Sequence, residues 1–249
     1  MQEGMDVTGI VLQSAPFGEA DRRITLLTKE FGKISAFVRG ARRPTSTMVG
    51  LTRPFAFGTF TVFPGKSAYS ATKADIQEYF EELTKDVSKS AYGCYFLDLT
   101  AYFTHEGTPA KEELLLLYFA LKALAKTDIP AKLIQLIFEL RLLKIQGLVP
   151  SFKTCSLCER PIIEAVFDTR MMTPVCMDCK KDGSFELPLR KSALYALNFI
   201  EETEVNKLFS FTVTEDTFSE MKNVISFLLQ QNLDREIPSL EMLHVLTSD

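Results

Sequence analysis

Two pairs of cysteines, Cys155 with Cys158 and Cys176 with Cys179, constrain this chain more than any other feature. Each pair encloses two residues, and seventeen residues separate the pairs. A two-residue gap lets both sulfurs of a pair reach one ion, and a loop of that length brings the second pair round to complete a tetrahedron. The expected outcome is one structural zinc ion held by Cys155, Cys158, Cys176 and Cys179, with a short hairpin over residues 162–174 joining the two pairs. Four thiolates fill tetrahedral zinc and leave no position for water, so catalysis at this metal is not expected. A thiol switch or a metalloenzyme would use the same residue type, but five cysteines in 249 residues make neither a disulfide scaffold nor a nucleophile motif. The fifth, Cys94, falls on an expected helix and reads as a small buried side chain.

Upstream of the cysteines the texture is that of strands. Residues 7–12, 24–29, 33–40, 56–63 and 67–74 place β-branched and aromatic residues in alternation with polar ones, punctuated by Gly and Pro. Glu30-Phe31-Gly32 reads as a tight hairpin loop and Pro64-Gly65 as a second turn. Five short strands in some seventy residues suit a small barrel, and periodicity alone leaves an OB-fold and an SH3-like barrel both open. Beyond Asp75 the spacing becomes helical over residues 88–102, 112–126 and 131–146, the last with Pro130 at its start and Gly147 after its end. Two further amphipathic helices are expected at 192–201 and 216–232. The fold class is therefore α+β, divided into a barrel at 1–80, helices at 81–150, a metal insert at 151–187 and closing helices at 188–249.

The net charge of −4 hides an asymmetry. Residues 1–74 hold ten Lys/Arg against five Asp/Glu, whereas the remainder holds eighteen against twenty-seven. Such a local positive field attracts polyanions even when the whole molecule is acidic. The candidate nucleic-acid contacts are Arg22, Arg23, Lys33, Arg39, Arg42, Arg43, Arg53 and Lys66, interleaved with Phe31, Phe37, Phe55, Phe57 and Phe60. A groove that tracks phosphates with cations and stacks bases on aromatics is what sequence-independent single-strand binding requires. Most of the phenylalanines are expected inside, because a small barrel must fill its interior. Arg39, Arg42 and Arg43 around Gly40 read as a basic loop at a strand end.

Other signals carry little. Gly65-Lys66-Ser67 mimics the end of a phosphate-binding loop, but the first glycine of that motif is replaced by Phe60 and the segment lies between strands. His105 and His244 have no companion at ligand spacing. Met1 to Asp6 shows neither a basic nor an apolar leader region, and no apolar run approaches a membrane span, so a cytoplasmic location is expected.

Gly9-Ile10-Val11-Leu12, Phe17-Gly18-Glu19-Ala20-Asp21-Arg22, Leu27-Thr28-Lys29-Glu30-Phe31-Gly32-Lys33, Arg39-Gly40-Ala41-Arg42-Arg43 and Leu51-Thr52-Arg53-Pro54-Phe55 resemble, in order and spacing, the N-terminal signature of the RecO family. The resemblance implies a non-enzymatic mediator of bacterial recombinational DNA repair with an N-terminal OB-fold. It implies binding of single- and double-stranded DNA, annealing of complements and loading of RecA onto strands coated by the single-stranded DNA-binding protein SSB. It also implies RecR and the acidic, apolar C-terminal tail of SSB as partners, the tail seated in the helical part, with residues 131–146 the first place to look. On the residues alone, a zinc-ribbon regulator of nucleic acid with a barrel domain is the competing reading.

Overall fold

The computed structural model describes residues 3–181 and 186–247. Alternation dictates the first part. In β1 (Met5–Phe17), β2 (Asp21–Thr28), β3 (Gly32–Val38), β4 (Phe57–Phe63) and β5 (Tyr69–Glu78), alternate side chains over part of each strand point into one core. Ile34, Ala36 and Val38 go inward from β3, and Phe60 and Val62 from β4. The strands close in the order β1-β2-β3-β5-β4, with β4 returning antiparallel to β1 and β3 lying parallel to β5 through Ala36 and Phe37. That closed five-strand order is the OB-fold, which decides between the two barrels that periodicity left open.

Closure depends on two local devices. A register shift between Val11 and Gln13 lets β1 leave β4 and continue along β2 as far as Phe17, so β1 runs beyond the residue 12 at which its alternation fades. Gly9 and Gly58 face each other where the strands crowd; a Cβ at Gly9 would stand 2.5 Å from the Leu27 carbonyl oxygen, and one at Gly58 2.1 Å from that of Asp75. The β2–β3 turn is held by Thr28, whose hydroxyl donates to the Gly32 carbonyl (2.9 Å) and accepts from the Phe31 N–H (3.1 Å).

The remaining elements are α1 (Glu81–Thr84), α2 (Val87–Phe103), α3 (Lys111–Lys126), α4 (Ala131–Ile145), β6 (Ala165–Asp168), β7 (Thr173–Cys176), β8 (Glu186–Leu189), α5 (Lys191–Glu202), α6 (Glu215–Asn232) and α7 (Pro238–Thr247). The chain forms two compact units, Met1–Lys126 with Ile237–Asp249, and Thr127–Glu236. In the first unit α2 starts at Asp86, whose side chain accepts from the Lys89 N–H (3.0 Å), and packs against α3 and α7. In the second, β6 and β7 form the expected hairpin and β8 adds a third strand in the order β7-β6-β8, packed on α5 and α6, which in turn pack on α4. Glu220 of α6 is buried, accepts from the Arg190 backbone N–H (2.8 Å) and pairs with its guanidinium (3.0 Å), which fixes where α5 begins. Among the described residues no helix is long and apolar enough to cross a membrane.

Candidate nucleic-acid interface and metal centre

The β6–β7 hairpin brings the cysteine pairs together. Asp168 caps its turn by accepting from the Arg170 and Met171 N–H groups, and β7 ends on Cys176 opposite Ala165. Two tight turns present the sulfurs, one closed by the Glu159 N–H on the Cys155 carbonyl (2.9 Å) and one by the Cys179 N–H on that of Cys176 (3.0 Å). The four Sγ atoms of Cys155, Cys158, Cys176 and Cys179 all lie within 4.8 Å of one another and form no disulfide. Cys158 and Cys176 are 3.8 Å apart, Sγ to Sγ. Zinc–sulfur bonds of about 2.3 Å give a tetrahedron with edges of roughly 3.8 Å, so the sulfurs already fit such an ion.

The electrostatics suit a cation. Burial disfavours a Cys155 thiolate, but N–H groups of Cys176, Leu157 and Cys158 aimed at its sulfur outweigh burial and bring the thiol down to about 6. Arg160, whose Nε donates to Cys158 Sγ (3.4 Å), holds Cys158 below its ordinary value. The side chains of Cys176 and then Cys158 push Cys179 up to about 12. Four sulfurs this close cannot all ionise alone; a divalent metal permits it and releases their protons. The same Arg160 reaches Asp178 Oδ2 (3.0 Å) and so ties one cysteine turn to the other. Neither residue stands out in the sequence, where only the cysteine spacing is visible.

The barrel gathers the basic residues by a different route. Arg42 donates from its backbone to the Ala20 carbonyl and from its guanidinium to that of Gly18, both at 2.8 Å, and the Gly40 N–H donates to Asp21 Oδ1 (2.8 Å). These bonds staple the Arg39–Gly40–Ala41–Arg42–Arg43 loop to the β1–β2 turn and put it beside Arg22 and Arg23. Arg22 rests its guanidinium on Ser14 Oγ (3.1 Å) and Arg23 its Nε on Ser35 Oγ (2.7 Å). Arg53 is exposed after a single 3₁₀ turn at Gly50–Thr52, and Lys66 is exposed in the β4–β5 turn, whose exit strand starts beside Ala36. Lys33 is placed differently: its ammonium donates to the Ala101 carbonyl of α2, a partner 68 residues away that no local pattern reveals. Among the described residues Arg22, Arg23, Arg39, Arg42, Arg43, Arg53 and Lys66 form no ion pair.

The aromatics divide sharply. Phe55 and Phe60 are buried, Phe57 packs on Tyr118 of α3 (ring centroids 4.7 Å apart), and Phe31 lies by Tyr69. Phe37 also turns to the outer barrel face, where it meets Phe17, which the sequence pattern did not single out.

Helix α4, within the region expected to hold a peptide pocket, buries Leu133, Ile134, Leu136, Ile137 and Phe138 in its own unit. A cleft of about 810 Å³ lies elsewhere in that unit, lined by Ile162, Ile163, Tyr195, Phe199 and Phe211 with Lys191 among them.

Comparison with known proteins agrees with this architecture. A family model described as Recombination protein O N terminal matches residues 1–80, and one described as Recombination protein O C terminal matches residues 84–241. The chain is similar to proteins named DNA repair protein RecO: 30% identical over 243 residues to that of Acetivibrio thermocellus, with 97% of each chain covered. To that of Clostridium perfringens it is 28% identical, with 94% of this chain and 95% of the relative covered. To that of Alkaliphilus metalliredigens it is 27% identical, with 91% and 93% covered.

Proposed function

This chain belongs to the RecO family of DNA repair proteins, and from that premise we propose that it is a non-enzymatic recombination mediator that binds single- and double-stranded DNA and anneals complements. In this reading it works with RecR to load RecA onto SSB-coated strands, in the cytoplasm at the nucleoid. The observation that carries the reading is the set of barrel cations without carboxylate partners among the described residues: Arg22, Arg23, Arg39, Arg42, Arg43, Arg53 and Lys66. Annealing needs no reacting side chain. Two strands repel through their phosphates, and a surface that neutralises both lowers that repulsion and raises the local concentration of complements. Lys33 contributes less than the arginines, because its ammonium is already committed to Ala101.

Cys155, Cys158, Cys176 and Cys179 would hold one zinc ion, the metal that a tetrahedral all-thiolate set favours over the oxygen-preferring cations. When bound, it cross-links the β6–β7 hairpin and does no chemistry on substrate. The SSB tail, apolar and acidic, suits the cleft beside α5, where aromatic walls and Lys191 offer complementary surfaces. We propose that 1–80, 81–150, 151–187 and 188–249 are the segments of the chain, to be checked by limited proteolysis.

The test is fluorescence anisotropy of a labelled single strand, then annealing of its complement, for wild type and for Arg39→Glu/Arg42→Glu/Arg43→Glu. Tight, salt-sensitive binding of unrelated sequences, with both activities lost in the variant, is the expected result. A folded wild type that binds no DNA would overturn the proposal.

A further inference from the structure

Phe17 and Phe37 stand on the outside of a barrel whose interior is already filled. Phe37 leaves β3 on the face opposite the buried Ala36 and Val38. Phe17 closes β1 and is 50% exposed. Their rings are in contact, with centroids 4.6 Å apart and planes at 47°. A single exposed aromatic is ordinary on a protein surface. Two in mutual contact form a preoriented π surface, because each ring restricts the other.

Cations frame the pair. Arg23 lies opposite Phe37 in the β2–β3 ladder and uses only its Nε, on Ser35. Arg42 fixes its guanidinium on the carbonyl of Gly18, the residue after Phe17. Of the two acids in the intervening turn, Asp21 is engaged by the Gly40 N–H, and Glu19 is exposed and in no ion pair among the described residues. An apolar ring surface bordered by unpaired positive charge is complementary to an unpaired base attached to a phosphate.

We infer that Phe17 and Phe37 are a stacking platform for unpaired bases of single-stranded DNA, with Arg23 and Arg42 on the adjoining phosphates. The inference rests on the DNA-binding reading above and adds what phosphate neutralisation cannot supply. Bases inside a duplex have both faces covered by their neighbours, so the platform favours single strands and senses whether bases are present at all.

The chain contains no tryptophan, so Phe17→Trp introduces one indole that reports on stacking. The full-length Phe17→Trp protein is titrated with an oligothymidylate and with an abasic strand of equal phosphate number, and Tyr195→Trp on α5 serves as the comparison indole. Quenching at position 17 by the thymidylate, with little by the abasic strand and none at position 195, is the expected outcome. Phe17→Ala should bind the thymidylate about ten-fold more weakly, from the usual worth of one base–aromatic stack, and bind the abasic strand as wild type does. Equal affinity of wild type for the two strands, unchanged in Phe17→Ala, would overturn the platform and leave the DNA-binding reading intact. A wild type that binds neither strand overturns both.

Discussion

In the unit spanning Thr127–Glu236, Lys144, Lys153, Arg160, Lys180, Arg190 and Lys207 each pair with a carboxylate. In the barrel, seven arginines and lysines among the candidate contacts pair with none among the described residues. The same residue types therefore serve two purposes. Positive charge neutralised inside the chain helps to fix helix ends and loops, as Arg190 does with Glu220. Positive charge left unneutralised repels itself and is available to a polyanion, even where, as at Arg42, the side chain also holds a loop by hydrogen bonds. Removing a cation or its partner should therefore cost order in one unit and binding in the other.

The largest effect is expected at the cysteines. Structural zinc contributes on the order of 10 kcal/mol in small zinc domains. Chelation, or Cys155→Ser with Cys176→Ser, should abolish hydrogen-exchange protection in β6 and β7 while barrel amides keep theirs. Loss of barrel protection as well would mean that the contrast between the units does not extend to stability. Acid should act in the same direction. The Cys155 thiol at about 6 lies below its ordinary 9.0, so the stability its thiolate adds to the metal-free fold is complete above about 9 and is lost as pH falls through about 6. Metal titrations across that range should show weaker uptake at the acid end.

Next comes Glu220→Ala. It strips the cap from α5 and one partner from Arg190, and should lower stability in urea unfolding by about 1–3 kcal/mol. DNA affinity should be unchanged. Arg160→Ala should cost little global stability, because its pair with Asp178 is exposed. It loosens the tie between the cysteine turns, so metal affinity in a chelator competition should fall about ten-fold. At the small end, Arg39→Gln should move stability by no more than about 0.5 kcal/mol. A larger loss would reveal a structural role for a cation assigned here to a partner.

Much of this was legible in the sequence, for identifiable reasons. Cysteine spacing and strand alternation are local properties, and they led to the four-cysteine cluster and to a five-stranded barrel respectively. Glycine 32 showed the turn because a φ of +66° favours its residue type. What local pattern missed depends on distant partners. Phe17 lies five residues beyond the expected end of β1, and only the register shift and the pairing with β2 carry the strand that far. The parallel β3–β5 contact that identifies the OB-fold is a pairing across more than thirty residues. Lys33 meets a carbonyl on α2, and β8 needs β6 beside it to be a strand. Helix α7, short and last in the chain, was hidden because its packing partner is α2. For the same reason the cleft is lined by segments from 162 to 217 and not by one apolar helix.

The central claim is that unpaired barrel arginines carry DNA binding. Its most direct test is the dependence of single-strand affinity on salt, measured for wild type and for Arg39→Gln/Arg42→Gln/Arg43→Gln with metal bound. Each phosphate neutralised contributes about 0.7 to the slope of log affinity against log salt for single strands. The account predicts a steep wild-type slope that becomes shallower by about 2 in the variant, which should still unfold in one cooperative transition although it loses the Arg42 bond to Gly18. Equal slopes and equal affinities in the two proteins would contradict it and move the DNA site away from this end of the barrel.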